Sequence, residues 1–286
     1  MAEMMITALL FVILFFVIVM IIDCHRFVVK EYTCISDKLK KDGRFVLLSD
    51  LHGKSFGDHN EKLRNAIEKI KPDFIVIAGD MYTAKENVCT DLVSGFLSSL
   101  AKEYPVYYGN GNHEHKTKLY PEIFGTVYRD YAETIKKADV VLLENEKATL
   151  PLYNMDVYGL EMERKFYGKF VTPVMEKEYL CKEIGCPPED KFVMLIAHNP
   201  DYFKTYAKWG ADLVLSGHVH GGLMKLPFFG GVISPKLRLF PKYDGGEFKE
   251  GKSTMILGRG LGTHTLPIRI FNPGELVVVN LRKKVD

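Results

Sequence analysis

The chain alternates short, wholly apolar runs with longer stretches of helical period. Phe45-Val46-Leu47-Leu48-Ser49, Phe74-Ile75-Val76-Ile77-Ala78, Val106-Tyr107-Tyr108 and Val140-Val141-Leu142-Leu143 are rich in β-branched and aromatic residues. They are too short for helices and predict buried strands. Between them, residues 61–71 place Leu63, Ala66, Ile67 and Ile70 on one helical face and stop at Pro72, and residues 91–103 and 131–137 predict two more helices. A second set follows, with strands over 156–160, 192–197 and 213–215 and helices over 173–184 and 201–208. From 221 to 251 the chain is rich in Gly, Pro and aromatics, and 254–257 and 276–281 predict closing strands. With no repeat and no low-complexity linker, residues 44–286 predict one α/β domain.

The first residues follow a different rule. Residues 4–22 form an unbroken apolar run without a charge, Pro or Gly. As a helix at about 1.5 Å per residue it reaches roughly 28 Å, close to one hydrocarbon thickness. A cleaved signal peptide is disfavoured, because no basic segment precedes the run and no small-x-small site follows it before Asp23-Cys24-His25-Arg26. A lipidated Cys24 is disfavoured by Asp23 beside it. The run therefore predicts an uncleaved single-pass membrane anchor, and the polar residues 23–43 a tether. Arg26, Lys30, Lys38, Lys40, Lys41 and Arg44 all lie after the run, which places the C-terminal domain on the cytoplasmic side by the positive-inside rule. The same residues also suit anionic headgroups of either leaflet.

Composition narrows the partners. The net charge of the 286 residues is only +2, which predicts no nucleic-acid partner. The five cysteines, Cys24, Cys34, Cys89, Cys181 and Cys186, show no zinc-like spacing and are expected as free thiols, in keeping with a cytoplasmic domain.

Polar clusters fall just after the predicted strands: Asp50-Leu51-His52-Gly53, Gly79-Asp80, Gly111-Asn112-His113-Glu114, His198-Asn199, and Gly217-His218-Val219-His220-Gly221-Gly222. In open α/β sheets the carboxyl ends of strands gather at one rim, where ligands bind. Each cluster alone has an ordinary structural explanation, a turn or a satisfied histidine. Together they deliver three carboxylates, two amides and five of the nine histidines to one edge. Carboxylates gathered there would repel one another unless cations neutralised them. Oxygen and imidazole donors suit divalent Mn, Fe, Zn or Co, and the absence of cysteine argues against a structural thiolate zinc.

The ordered pattern D-x-H, G-D, G-N-H-E, H and G-H-x-H resembles the calcineurin-like metallophosphoesterase superfamily over essentially all of residues 44–286, most of all its bacterial transmembrane-type, YkuE-like group. The resemblance implies a four-layer αββα sandwich of two mixed sheets. It implies two metals, one held by Asp50, His52, Asp80 and His220, the other by Asp80, Asn112, His198 and His218, with Asp80 as the bridge. His113 would stabilise the transition state or protonate the leaving oxygen, while a metal-bridging hydroxide attacks phosphorus in line.

Departures within that superfamily narrow the substrate. Gly79-Asp80-Met81-Tyr82-Thr83-Ala84-Lys85 lacks the phosphate-gripping Arg of the protein phosphatases, and Tyr82 is one position too early for a Tyr-ligated ferric centre. No DNA-binding extension follows, which disfavours a nuclease. His113 replaces the Arg typical of soluble UDP-diacylglucosamine hydrolases, although another lipid-linked substrate stays open. Phe228, Phe229, Phe240 and Tyr243, interleaved with Lys225, Lys236, Arg238 and Lys242, form either an irregular loop or an aromatic-basic rim for an amphipathic phosphate. Phe228, Phe229 and Lys225 are the candidate substrate contacts. The remaining alternative is a non-catalytic membrane scaffold, disfavoured because all seven ligands and His113 are present. His115 and His264 match no ligand position and are expected to be structural.

Overall fold

In the computed structural model the two predicted sets of strands form two six-stranded mixed sheets. Residues 1–168, 173–222, 224–226, 230–231, 241–263 and 267–284 are described. The strands are β1 (Phe27–Ser36), β2 (Gly43–Leu48), β3 (Phe74–Ile77), β4 (Val106–Gly109), β5 (Val141–Leu143), β6 (Glu146–Leu150), β7 (Met155–Leu160), β8 (Phe192–Ala197), β9 (Leu213–Ser216), β10 (Lys225–Leu226), β11 (Gly230–Gly231), β12 (Gly246–Glu250), β13 (Ser253–Leu257) and β14 (Gly274–Lys283). The helices are α1 (Ala2–His25), α2 (Glu61–Ile70), α3 (Asp91–Ala101), α4 (Asn112–Leu119), α5 (Pro121–Phe124), α6 (Val127–Lys137), α7 (Lys177–Ile184) and α8 (Phe203–Trp209). One sheet runs β1-β14-β2-β3-β4-β5 and the other β12-β13-β9-β8-β7-β6, while β10 and β11 pair separately.

Strand alternation builds the layers. In β2, Phe45 and Leu47 point between the sheets, where they meet Met194, Ile196 and Leu215, while Val46 and Leu48 point outward under α2, α3 and α6. On the second sheet, Leu195 and Val214 face α7 and α8. The central strands β2, β3, β7, β8 and β9 are covered on both sides, which is why these runs read as continuous apolar segments rather than alternating ones. The result is the expected four-layer αββα sandwich. The helices over 131–137, 173–184 and 201–208 were expected with different starts. They begin at Val127, Lys177 and Phe203, and in the last case Asn199 accepts a hydrogen bond from the Asp201 N–H and sets the entry turn.

Two expectations are corrected. The tether over 23–43 contains strand β1, parallel to β14 in register from Phe27 with Gly274 to Ser36 with Lys283. Only Cys34 in β1 is buried, because an edge strand faces water along much of its length. That is why its sequence reads as a polar linker. The cysteines are also not all free: Cys181 and Cys186 form a disulfide across the C-terminal end of α7, with Cα atoms 4.6 Å apart. Gly185, at φ 77°, turns the chain back between them. The thiol argument for a cytoplasmic domain therefore falls away.

Helix α1 is apolar from Met4 to Ile22, and its most apolar window, of mean hydropathy 3.3, is not buried against the domain. It is the one helix among the described residues long and apolar enough to cross a membrane.

A soluble fragment cut at Asp37 deletes β1 and uncovers the edge of β14, whose Val277, Val279 and Leu281 belong to the central core. Relative to a fragment beginning at Asp23, its thermal midpoint is expected to fall by on the order of 10 °C. Equal midpoints in differential scanning calorimetry would contradict a structural role for β1.

Candidate metal centre

The five motifs converge because of strand order. β2, β3 and β4 are parallel neighbours in one sheet, and β8 and β9 are parallel neighbours in the other. Their carboxyl ends share one rim, and their exit loops are stitched together. The Asp50 N–H donates to the Gly79 carbonyl at 2.9 Å, the His52 N–H to Asp80 at 3.1 Å and the Gly217 N–H to His198 at 3.1 Å.

The local backbone is unusual. Asp50, His52, Asp80, His218 and His220 all have positive φ, between 51° and 76°. Left-handed backbone at a residue with a Cβ costs about 1 kcal/mol or more each, and clusters of it mark sites where the surroundings over-determine the conformation. The second and third loops also touch closely. A Cβ on Gly79 would lie 2.2 Å from the Gly111 nitrogen, and one on Gly111 would lie 2.3 Å from Asp80 Oδ1. Only glycine permits this approach.

Each central carboxylate divides its oxygens between two tasks. Asp50 Oδ1 accepts from the His218 N–H at 2.9 Å, and Asp80 Oδ1 accepts from the His113 N–H at 2.8 Å. Asp50 Oδ2 is buried without a hydrogen-bond partner. Asp80 Oδ2 lies 3.0 Å from His198 Nε2 and 4.0 Å from both His52 Nε2 and His113 Nε2. His220 Nε2 lies 3.1 Å from His52 Nε2 and 3.4 Å from Asp50 Oδ1. Asn112 sits at the start of α4, its Oδ1 buried and without a hydrogen-bond partner. His198 Nδ1 faces the Ala78 carbonyl at 2.5 Å, which fixes a donor at Nδ1 and turns Nε2 towards the site.

This donor set fits divalent cations. Three groups, Asp50-His52-His220, His52-Asp80-His113 and Asp80-His198-His218, each bring their donor atoms within 4.8 Å of one another. Asp50 Oδ2 and Asn112 Oδ1 are the kind of buried acceptors that an ion satisfies. Without ions the charges compensate locally. Burial raises the Asp50 carboxyl to about 6, against the pull of His198. Burial also opposes ionisation of Asp80, but His198, His113 and His52 hold it well below the usual carboxylate range. Burial works against a charged His198, yet Asp80 and Asp50 raise its pKa to about 10.

All seven predicted ligands and His113 thus lie at one rim. His113 is distinguished by its Nδ1, which accepts from the Ala84 N–H at 2.9 Å. Its neutral ring therefore carries the proton on Nε2, a donor rather than a ligand. His115 pairs with Glu161 at 3.6 Å, and His264, Phe228 and Phe229 lie outside the described residues. The Lys225 ammonium is held by Asp244 at 3.2 Å. Tyr243, expected in the aromatic rim, is buried in the outer core against Phe203 and Phe248.

Two further residues shape the site. Buried Glu114 accepts from the N–H groups of Asp80 (2.8 Å), Met81 (2.7 Å) and Gly111 (3.0 Å) and from the Tyr108 hydroxyl (2.9 Å), clamping two ligand loops together. Its place in G-N-H-E was the only sequence signal for it. Tyr167 places its ring 5.4 Å from that of His218, and nothing local in its sequence announced this.

A family model described as calcineurin-like phosphoesterase matches residues 43–222. The chain belongs to this family. An uncharacterized metallophosphoesterase of Campylobacter jejuni is 28% identical over 86% of this chain, which spans 61% of that relative's length. The uncharacterized metallophosphoesterase YkuE of Bacillus subtilis is 27% identical, with 91% of this chain and 87% of YkuE covered. The UDP-2,3-diacylglucosamine pyrophosphatase LpxG of Chlamydia muridarum is 24% identical, with 82% of each chain covered. Metallophosphoesterases of this family use divalent metals, and the Asp/His groups described above are where this chain offers them donors.

Proton linkage follows from His198. Its raised pKa, about 10 against an ordinary 6.5, keeps it charged at neutral pH in the metal-free protein. The stability this contributes is fully present below 6.5 and is lost as pH rises through about 10. A metal-ligating imidazole must be neutral, so loading displaces that proton. Titration calorimetry with Mn or Zn at neutral pH is expected to show an enthalpy that varies with buffer ionisation enthalpy, with close to one proton released, and affinity that rises with pH. An enthalpy independent of buffer would contradict this.

Proposed function

We propose that the protein is a metal-dependent hydrolase of phosphate esters, monoester or diester, acting at a dinuclear centre. The observation that carries this reading is the position of Asp80 Oδ2, which faces His198 on one side and His52 on the other. One oxygen placed so suits a carboxylate shared between two ions. Asp50, His52, Asp80 and His220 would hold one, and Asp80, Asn112, His198 and His218 the other. Divalent ions held there supply Lewis acidity at the phosphoryl group and lower the pKa of the attacking water.

The chain's own residues supply the rest. Burial lowers the pKa of His113 against the pull of Asp80, so the ring is neutral at pH 7 and keeps a proton on Nε2. From that atom it donates a hydrogen bond to a phosphoryl or leaving-group oxygen. The Ala84 N–H on Nδ1 fixes the ring's orientation, and Glu114 keeps the two loops that carry Asp80 and His113 in register. A non-catalytic scaffold would have no use for a proton donor held this way.

Helix α1 is read as a retained membrane anchor. Its last turn is part of the fold: Asp23 is buried and accepts from the Asn272 N–H at 3.0 Å. The Lys and Arg residues after the span support a cytoplasmic domain by the positive-inside rule. An anchored phosphoesterase meets lipid-linked phosphates by location, and the relative named for a diacylated sugar nucleotide supports that class.

The test is a panel of mono- and diesters with Mn, Zn, Fe and Mg. Asp80→Asn is expected to lose hydrolysis and to bind less metal. His113→Gln is expected to keep its metal while kcat falls about 10²–10⁴-fold. Undiminished turnover in Asp80→Asn would sink the bridging assignment, and loss of metal from His113→Gln would sink the assignment of His113 as a hydrogen-bond donor to the substrate.

A further inference from the structure

The foot of α1 is tied to the metal centre by a short chain of contacts. Asp23 is 2% exposed, pairs with Arg26 at 2.8 Å and accepts the Asn272 N–H. Cys24 Sγ donates to the Pro267 carbonyl at 3.3 Å. The Asn272 side-chain amide then donates to the carbonyls of His220 (2.7 Å) and Gly222 (2.8 Å). The fully buried guanidinium of Arg269 fixes this loop from below, donating to the carbonyls of Arg259, Gly260 and Asn272 at 2.9, 3.0 and 3.0 Å. The segment that leads to His220 is thus rigid and carries its own cation.

Phe271 stands out on that segment. It is a bulky residue at φ 53°, 39% exposed, although its neighbours Asn272 and Arg269 are buried. A left-handed aromatic facing water is unfavourable in both backbone and side chain. Its ring packs 6.3 Å from Phe15 and 6.2 Å from Phe16 of α1. Those residues lie seven and eight positions before Asp23, roughly 10–12 Å along the helix from its foot. That level is inside the apolar span, so Phe271 reaches hydrocarbon depth while its chain neighbour holds His220.

We propose that the loop around Phe271 is a bilayer-docking surface, with the Phe271 ring among the acyl chains beside α1, so that the centre takes phosphate esters carried by membrane lipids. The occupant of this surface is the leaflet that the foot of α1 enters. The loop's exposed aromatic is continuous with the span, since it packs on Phe15 and Phe16 and extends the apolar face of α1. Arg26 and Lys30, both exposed just after the helix, suit the anionic headgroups at that level. The proposal rests on reading α1 as an anchor and the centre as a phosphoesterase.

The experiment uses the full chain in nanodiscs. A Phe271→Trp variant is compared with the parent, whose own Trp209 is buried in the far core and serves as reference. In lipids brominated on the acyl chains, the added emission is expected to be strongly quenched, and aqueous acrylamide is expected to leave it nearly unchanged. Quenching by acrylamide without quenching by bromine overturns the docking surface. Insensitivity to both, with dependence on protein concentration, assigns the loop to a second copy and also overturns it. A second arm measures hydrolysis of a dioleoyl phosphodiester in the same bilayer. Phe271→Ser is expected to lower it by about tenfold or more with metal content unchanged, and Phe271→Leu to restore it. Full activity in Phe271→Ser overturns the lipid assignment. If the parent hydrolyses no ester at all, the phosphoesterase reading fails, while the quenching result still decides the docking surface.

Discussion

Two carboxylates, Asp50 and Asp80, are buried side by side at the ends of neighbouring parallel strands, and the rest of the rim is organised around their charge. Neither side chain is more than 1% exposed. Water cannot screen them, so each must be met by donors or cations. One oxygen of each is satisfied by a backbone N–H from another motif, His218 for Asp50 and His113 for Asp80. The other oxygen of Asp80 faces imidazoles, and the other oxygen of Asp50 is buried without a hydrogen-bond partner. This arrangement ties the two sheets together at the site, since Asp50 and Asp80 belong to one and His198 and His218 to the other. Glu114 is a third buried carboxylate, raised to about 7 by burial and by Asp80 and held by three N–H groups and a tyrosine hydroxyl. Strained backbone at five of the seven predicted ligands is tolerated because these contacts over-determine the loops.

Much of this was legible in the sequence, for a physical reason. Strands covered on both faces read as pure apolar runs, so β2, β3, β4, β8 and β9 announced themselves, and the polar residues after them could only lie at one rim. The parts that were not legible depend on non-local contacts. β1 has a mixed-charge sequence because one of its edges faces water, and its partner β14 lies at the other end of the chain. The Cys181–Cys186 bridge depends on a glycine turn at the end of α7 rather than on a spacing that implies pairing. Tyr167 reaches His218 from a turn with no motif. Asp23 meets Asn272 across 249 residues, which no local pattern encodes.

The apolar helix and the catalytic rim looked like separate features of the sequence. In the folded chain they are continuous, because Asn272 joins the foot of α1 to the carbonyl of His220. A centre built on these donors is thereby given a fixed relation to helix α1. Chemistry and location become properties of one rigid segment, with Arg269 as its buried brace.

The central claim is that Asp80 is shared between two ions at this rim. Anomalous diffraction from crystals of the metal-loaded protein, collected above and below the metal edge, tests it most directly. Two peaks about 3.5–4 Å apart are expected, with an Asp80 oxygen in reach of both and Asn112 Oδ1 in reach of one. A single peak, or two peaks of which only one contacts Asp80, would contradict the account.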